Sequence, residues 1–387
     1  MRPRVLFLDH TGSLGGAELF LLDIARDNLG TSQVVLFADG PFRERLEESG
    51  VEVKLFPAPE AVSGISREGG LKRDLLAVPG VLDLARRVAK LARDYEVIYA
   101  NSQKALFIGA LAGKIAGKPV IWHQHDLLTA DHFSRGHRRL SVLLSNHLIS
   151  RVITCSKAAA KALVEGGGHT EAIRVVYNGI DATPFESVTQ AEVDELRREL
   201  DLEGVPVVGV FSRLAPWKGQ DVLLEALPYL PDVHVLLVGE AIFGEQEYAE
   251  SLRRRSKDLG VEDRVHFAGF RRDIPQLMCL SDVITHTSVS PEPFGRVIVE
   301  GMLARSPVVA TRAGGTVEIV DDEVSGILVP PGDPEALAKA LSDLLDNPDK
   351  ARELAEAGRV VALERFSLQG MLDGVAQQLQ EVAAWRR

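Results

Sequence analysis

The chain has 387 residues, 45% apolar and 26% charged, with a formal net charge of −11. That length suggests two domains, or three, of ordinary globular composition, and the acidic balance argues against a general nucleic-acid binder without excluding a local basic patch. The two cysteines, Cys155 and Cys279, suit a reducing cytoplasm, and no apolar run reaches the length expected of a signal peptide or membrane span.

Strands are predicted where short apolar runs end at turn formers. Residues 4–9, 33–38, 51–56, 96–100, 119–122, 151–155 and 174–177 form a first series, each followed by a turn or an amphipathic helix, which describes one doubly wound α/β sheet. Residues 178–185 are rich in turn formers and mark the crossing into a second domain. There 206–211, 234–238, 264–268, 282–285, 307–310 and 327–329 repeat the pattern, and the chain is helical from 333 onward.

Several strand ends in the first half carry candidate chemistry. Gly12-Ser-Leu-Gly-Gly16 is glycine-rich but lacks the G-x-G-x-x-G order. Asp39 follows the second strand where a dinucleotide-binding acid would stand, so a nicotinamide-dependent oxidoreductase is a rival reading of this half. His10 serves equally as a group facing a ligand or as a polar strand end. In Trp122-His-Gln-His-Asp126 the histidines 123 and 125 share a face if the strand persists, which fits a hydrogen-bonded pair better than a metal site lacking a third ligand. Arg135, Arg138 and Arg139 stand beside the apolar run 140–144. They read either as a solvated helix start or as a patch that meets the phosphates of an anionic acceptor at a membrane surface.

The second half is richer. Val207-Val-Gly-Val-Phe211 is a continuous apolar strand, and Ser212-Arg-Leu-Ala-Pro-Trp-Lys-Gly219 follows it as a loop opening a helix. Arg213 and Lys218 therefore lie where parallel sheets bind ligands, and a guanidinium fork with an ammonium point charge suits a leaving diphosphate. Strand 282–285 is followed by the loop 288–293 and by a helix predicted over 294–303, whose first turn holds Gly295 and N–H groups suited to a phosphate. Glu300 then sits about 9 Å along that helix, the reach from a diphosphate to the hydroxyls of its ribose. Glu292 faces whatever the diphosphate carries. Gly314 and Gly315 form either a plain turn or a loop facing a sugar. The chain contains no Asp-x-Asp triplet and no Cys/His cluster with metal-site spacing. Taken singly each of these charges is an ordinary surface residue; the joint pattern points to function.

These residues resemble the retaining glycosyltransferases of the GT-B fold, family 4. Phe211-Ser-Arg-Leu214 with Lys218-Gly219, Pro291-Glu-Pro-Phe-Gly-Arg-Val-Ile-Val-Glu300, Pro307-Val-Val-Ala-Thr-Arg-Ala-Gly-Gly315, Glu318-Ile-Val320 and Gly326-Ile-Leu-Val-Pro-Pro-Gly-Asp-Pro-Glu-Ala-Leu337 occur in the family's order. Gly15-Gly-Ala-Glu18 and His125-Asp126 extend the match through the first half. One departure is Glu300-Gly-Met-Leu-Ala-Arg305-Ser-Pro307, where the family usually runs Glu-Ala-Met-Ala and a glycine before the Pro-Val-Val strand; it bears on helix packing rather than on ligand contacts.

The resemblance implies two Rossmann-like domains facing across a cleft. Residues 1–180 bind the acceptor, residues 181–367 bind the donor, and a last helix over 368–387 crosses back to the first domain. It implies a metal-independent, cofactor-free hexosyl transfer from a nucleoside-diphosphate sugar, UDP-linked by family habit, to a carbohydrate, lipid-linked or small-molecule acceptor in glycoconjugate synthesis. Arg213, Lys218, Gly295 and Arg296 would stabilise the diphosphate. Glu300, next to Val297, would hold the ribose, Glu292 with Phe294 the sugar hydroxyls, and Gly269 and Phe270 the base. His125 would lie near the transferred sugar, and Gly15 and Gly16 would let the backbone approach the diphosphate. A GT-B epimerase and a catalytically silent sugar-nucleotide scaffold are the other readings.

Overall fold

The computed structural model describes residues 2–58, 71–242 and 244–385. The chain divides into two compact units, Met1–Gly179 with Gln369–Arg387, and Ile180–Leu368. The first carries β1 (Val5–Asp9), β2 (Ser32–Leu36), β3 (Val53–Leu55), β4 (Val97–Ala100), β5 (Val120–Gln124), β6 (Arg151–Thr154) and β7 (Ile173–Val175). The second carries β8 (Val207–Phe211), β9 (His234–Val238), β10 (Val265–Gly269), β11 (Val283–His286), β12 (Val308–Thr311) and β13 (Ile327–Val329).

Strand order is β3-β2-β1-β4-β5-β6-β7 in one sheet and β10-β9-β8-β11-β12-β13 in the other, every pairing parallel. Because helices cover both faces of a parallel sheet, its strands are apolar without alternation. Val-Leu-Phe-Leu-Asp in β1 and Val-Val-Gly-Val-Phe in β8 are buried at every position. Each buried Val, Leu or Phe contributes about 1.5–3 kcal/mol of transfer free energy. Both orders reverse once, between β1 and β4 and between β8 and β11, and at such a switch point the loops beyond the carboxyl ends diverge to leave room for a ligand.

All thirteen predicted strands are present, shifted by a few residues at their ends. The predicted third strand is shorter at its start because Val51 N–H turns back to Leu46 O, outside the ladder, whereas at its end Phe56 N–H still donates to Leu36 O of β2. The helix predicted over 294–303 begins at Arg296 instead. Gly295 precedes it with φ +119°, outside helical geometry, so the helix cannot extend back through it. Helix starts elsewhere follow their caps: Ser102, Ser134 and Ser156 accept the backbone N–H three residues on, and Thr189 with Glu192 forms a capping box.

The C-terminal helix runs Leu368–Ala384 and belongs to the first unit; residues 386–387 of the predicted span lie outside the described residues. Arg151, buried in β6, pairs with Glu381 at 3.1 Å and stacks over Trp385 at 5.0 Å, while Gly179 N–H donates to Met371 Sδ at 3.2 Å. Where the chain enters and leaves the second unit, Ile180 and Ser367 form a parallel bridge. Among the described residues no helix is long and apolar enough to cross a membrane.

Candidate functional site

In the second unit the loops leaving β8 and β11, the two strands at the switch point, are stitched together. Thr287 Oγ1–H donates to Lys218 O at 2.8 Å and Val289 N–H to Trp217 O at 3.0 Å. The indole of Trp217 lies against both cations predicted from sequence, with Arg213 Cζ 5.1 Å and Lys218 Nζ 4.2 Å from the ring centroid. The negative ring face attracts each of them and offsets their mutual repulsion. Arg213 also pairs with Glu245 at 3.6 Å.

Glu292 is the electrostatic centre of this group. Its Oε1 accepts from Lys218 Nζ at 2.7 Å, from His286 Nε2 at 2.8 Å, and from the Ser288 hydroxyl. Burial works against the charge of Glu292, but Lys218 and His286 outweigh it and hold its pKa well below the ordinary carboxylate value. The same residue is tied by its backbone to the loop after β12, bridging Gly314 and accepting the Gly315 N–H at 2.7 Å. Gly314 and Gly315, left open between turn and sugar loop, are thus packed against the backbone of Glu292. One turn into the helix Arg296–Leu303, Arg296 Nε donates to Glu300 Oε1 at 2.6 Å, so Glu300 is held on the partly exposed face. Val297 is half-buried beside it. The ring of Phe294 is buried edge-on against Phe366, centroids 5.7 Å apart, so what Phe294 can offer a ligand is its backbone. Gly269 and Phe270 stand apart at the end of the edge strand β10, Phe270 with an exposed ring.

In the first unit the polar ends of β1 and β4 meet. Asp9 Oδ2 accepts from Asn101 Nδ2 at 2.6 Å, and Asn101 Oδ1 lies 3.0 Å from Nε2 of His125, just past β5. Burial pushes the His125 pKa down to about 4 against the charge of Asp9. His123, its ring centroid 3.9 Å from that of His125, is fully buried with Nδ1 2.6 Å from the Tyr99 hydroxyl, which makes it part of the packing. His10 is engaged at the strand end with Asp9 and Ser102. Asp39, the acid a dinucleotide reading would use, pairs with Arg43 and caps Gly40 N–H.

A Cβ on Gly15 would stand 2.6 Å from Glu18 Oε2, because the Glu18 side chain folds back over the start of its helix; Gly16 has open space around it. Burial and then the charge of Asp9 raise the Glu18 pKa to about 8. On the helix Arg135–His147, Arg135 and Arg139 are exposed and Arg138 donates to Phe133 O at 3.2 Å. Leu140 and Leu143 also face out, 45% and 54% exposed, while Ser141 and Ser145 are buried.

Sequence reasoning named Arg213, Lys218, Glu292, Arg296 and Glu300; the structure sets Arg213 and Lys218 against Trp217, joins Glu292 to Lys218, and joins Arg296 to Glu300. It missed His286, Ser288, Trp217, Glu245, Asp9 and Asn101. A signal existed for three of these: Asp9, Asn101 and His286 are polar residues closing apolar strands beside a sheet reversal.

Residues 192–361 match the family model of glycosyl transferases group 1, and residues 14–183 that of glycosyltransferase family 4. The crystal structure of Anabaena Alr3699/HepE in complex with UDP and glucose is 41% identical, with 98% of this chain and 99% of that chain covered and a TM-score of 0.89. This chain belongs to the GT-B glycosyltransferases of family 4. HepE in complex with UDP-glucose matches at the same identity, covering 97% and 99% of the two chains, TM-score 0.88. Among curated relatives, the lipopolysaccharide core biosynthesis glycosyltransferase LpsE of Rhizobium meliloti (strain 1021) is 31% identical over 59% of this chain and 63% of its own length. Spore coat protein SA of Bacillus subtilis (strain 168) is 30% identical over 52% and 57%. The match therefore spans less than two thirds of either of these two curated relatives. WaaG, at 16% identity and a TM-score of 0.73, shares the fold.

Proposed function

We propose that this chain transfers a sugar from a nucleoside-diphosphate sugar, UDP-linked, to an acceptor hydroxyl with retention of anomeric configuration, the second unit holding the donor and the first the acceptor. The observation that carries the reading is the pair of cations on one indole at the β8/β11 switch point, with Lys218 in contact with Glu292. Charge builds on a diphosphate as it leaves, and cations already fixed in place stabilise it without reorganising. The backbone N–H groups at the start of the helix Arg296–Leu303 add donors to the same charge. Glu300 accepts from the ribose hydroxyls, Glu292 and His125 engage hydroxyls of the sugar, and Gly269 and Phe270 meet the base. UDP is favoured because HepE, 41% identical, is described with UDP and with UDP-glucose.

In this reading the bond from the anomeric carbon to the phosphate oxygen breaks while the acceptor oxygen bonds on the same face, and the departing phosphate takes the acceptor proton. Arg213 and Lys218 supply the positive charge that a divalent ion would otherwise bring to the departing diphosphate, so the transfer is metal-independent. The acceptor is a carbohydrate, a lipid-linked sugar or a small molecule in glycoconjugate synthesis. Exposed Leu140 and Leu143 beside Arg135 and Arg139 favour an acceptor met at an anionic membrane surface.

The test is a thermal-shift screen of UDP-, GDP- and ADP-sugars, followed by measurement of free nucleoside diphosphate as acceptors are added to the best donor. Release that depends on acceptor, with a product of unchanged anomeric configuration by NMR, is the expected result. A donor that binds but is never turned over would favour the scaffold, interconversion of donor sugars would favour the epimerase, and an inverted product would end the retaining mechanism.

A further inference from the structure

Asn101 follows β4 beside the end of β1, at the reversal of the first sheet, and is fully buried. Its side-chain nitrogen lies 2.6 Å from Asp9 Oδ2 and 3.2 Å from the backbone oxygen of Ala17. A carboxylate and a peptide carbonyl only accept, so both amide hydrogens of Asn101 are committed and the orientation of its amide follows. The amide oxygen is what faces His125, 3.0 Å from Nε2. That oxygen also only accepts, which requires a hydrogen on Nε2.

Asp9 keeps the charge this argument needs. Burial opposes it, but hydrogen bonds from His10 and Asn101 outweigh burial and lower its pKa. A neutral imidazole has a single N–H, so once Nε2 holds the hydrogen Nδ1 is a bare lone pair. Nδ1 of His125 is buried and has no hydrogen-bond partner, and Nε2 of the adjacent His123 has none either, so the two rings do not satisfy each other.

We propose that Asn101 is a positioning residue which, oriented by Asp9, locks His125 in the Nε2–H tautomer, so that His125 offers a substrate hydroxyl an acceptor at Nδ1. A hydroxyl can donate there; a carbonyl or ether oxygen would meet a second lone pair. That the substrate group is a sugar hydroxyl rests on the glycosyltransferase reading above, whereas the tautomer and its cause do not.

The decisive measurement needs no ligand. The full chain is labelled with 15N-histidine, two-bond 1H–15N spectra are recorded from pH 6 to 8, and the His125 ring is assigned by its loss in His125→Gln. The expected spectrum is that of a neutral ring with a protonated Nε2 and a bare Nδ1, and Asn101→Ala shifts it toward a mixture of tautomers. A hydrogen on Nδ1 in the wild type, or an Asn101→Ala spectrum identical to the wild type, overturns the proposal. If Asn101→Ala does not fold, the wild-type spectrum decides alone. With the best UDP-sugar from the donor screen, Asn101→Ala lowers kcat about tenfold and adds nothing to the loss in His125→Gln. Additive losses would refute action through His125, while absence of any glycosyl transfer would remove the function and leave the tautomer to the spectrum.

Discussion

Glu18 offers a quantitative check on the electrostatics of the glycine loop. Its carboxyl is buried near Asp9, and its pKa rises from 4.5 to about 8. The folded chain thus holds a proton that the unfolded chain releases between those two values, so the Glu18 contribution to stability is fully present below pH 4.5 and is lost as pH rises toward 8. At about 1.36 kcal/mol per pH unit, the full loss is roughly 4–5 kcal/mol, and about 3 kcal/mol of it has accrued by pH 7. Glu18→Gln keeps the size of the protonated acid and never ionises. Urea unfolding from pH 5 to 9 in a Trp217→Phe background reads the first unit alone, because Trp122 and Trp385 both belong to it. The Gln variant should match the parent near pH 5 and exceed it increasingly toward pH 9. Parallel stability curves across that range would show that the Glu18 proton is not linked to folding and refute the argument.

Removing Lys218 leaves the buried Glu292 charge with His286 and Ser288 only, so Lys218→Ala should cost the second unit about 3 kcal/mol in urea unfolding, and Lys218→Ala/Glu292→Gln should be the more stable of the two variants. Arg213→Ala should lower turnover of the best UDP-sugar about a hundredfold with its thermal midpoint little changed; near-normal turnover ends the diphosphate assignment. Glu300→Gln should weaken donor affinity more than kcat, measured by calorimetry beside steady-state rates, since its ribose contact is made in ground and transition states alike. Activity should survive excess chelator, and a loss restored by magnesium or manganese would overturn metal independence. Anionic vesicles should co-sediment the wild type at low salt and release the variant with Gln at 135, 138 and 139; equal recovery of both would leave the patch as ordinary surface charge.

The strands were legible because burial on both faces needs unbroken apolar runs, as in Val207-Val-Gly-Val-Phe211, and the turn formers between them mark where pairing stops. Arg213, Lys218, Glu292 and Glu300 could be named from their motif. What surrounds Glu292 could not: His286 and Ser288 reach its carboxylate because β11 ends where the next loop doubles back, and nothing local in Thr-His-Thr-Ser states which acceptor they choose. The link from Asp9 to His125 runs between residues 9, 101 and 125, joined only by strand order, so it became visible with the sheet. The start of the helix at Arg296 was misjudged for a smaller reason, since a propensity argument does not foresee φ +119° at Gly295.

The helix that completes the first unit is made after the whole of the second. A ribosome emits residues 1–179, then the whole of the second unit, and only afterwards the segment that carries Met371, Glu381 and Trp385 onto Gly179 and Arg151. Until then the guanidinium of Arg151, buried in the finished protein, lacks its carboxylate and its indole, and the surface that Met371, Val375, Leu379 and Val382 will bury stays open to water. The nascent first unit is therefore an incomplete folding unit throughout synthesis of the second. Expression of 1–179 alone should yield an aggregation-prone fragment, and supplying the C-terminal helix as a separate peptide is the direct way to rescue it.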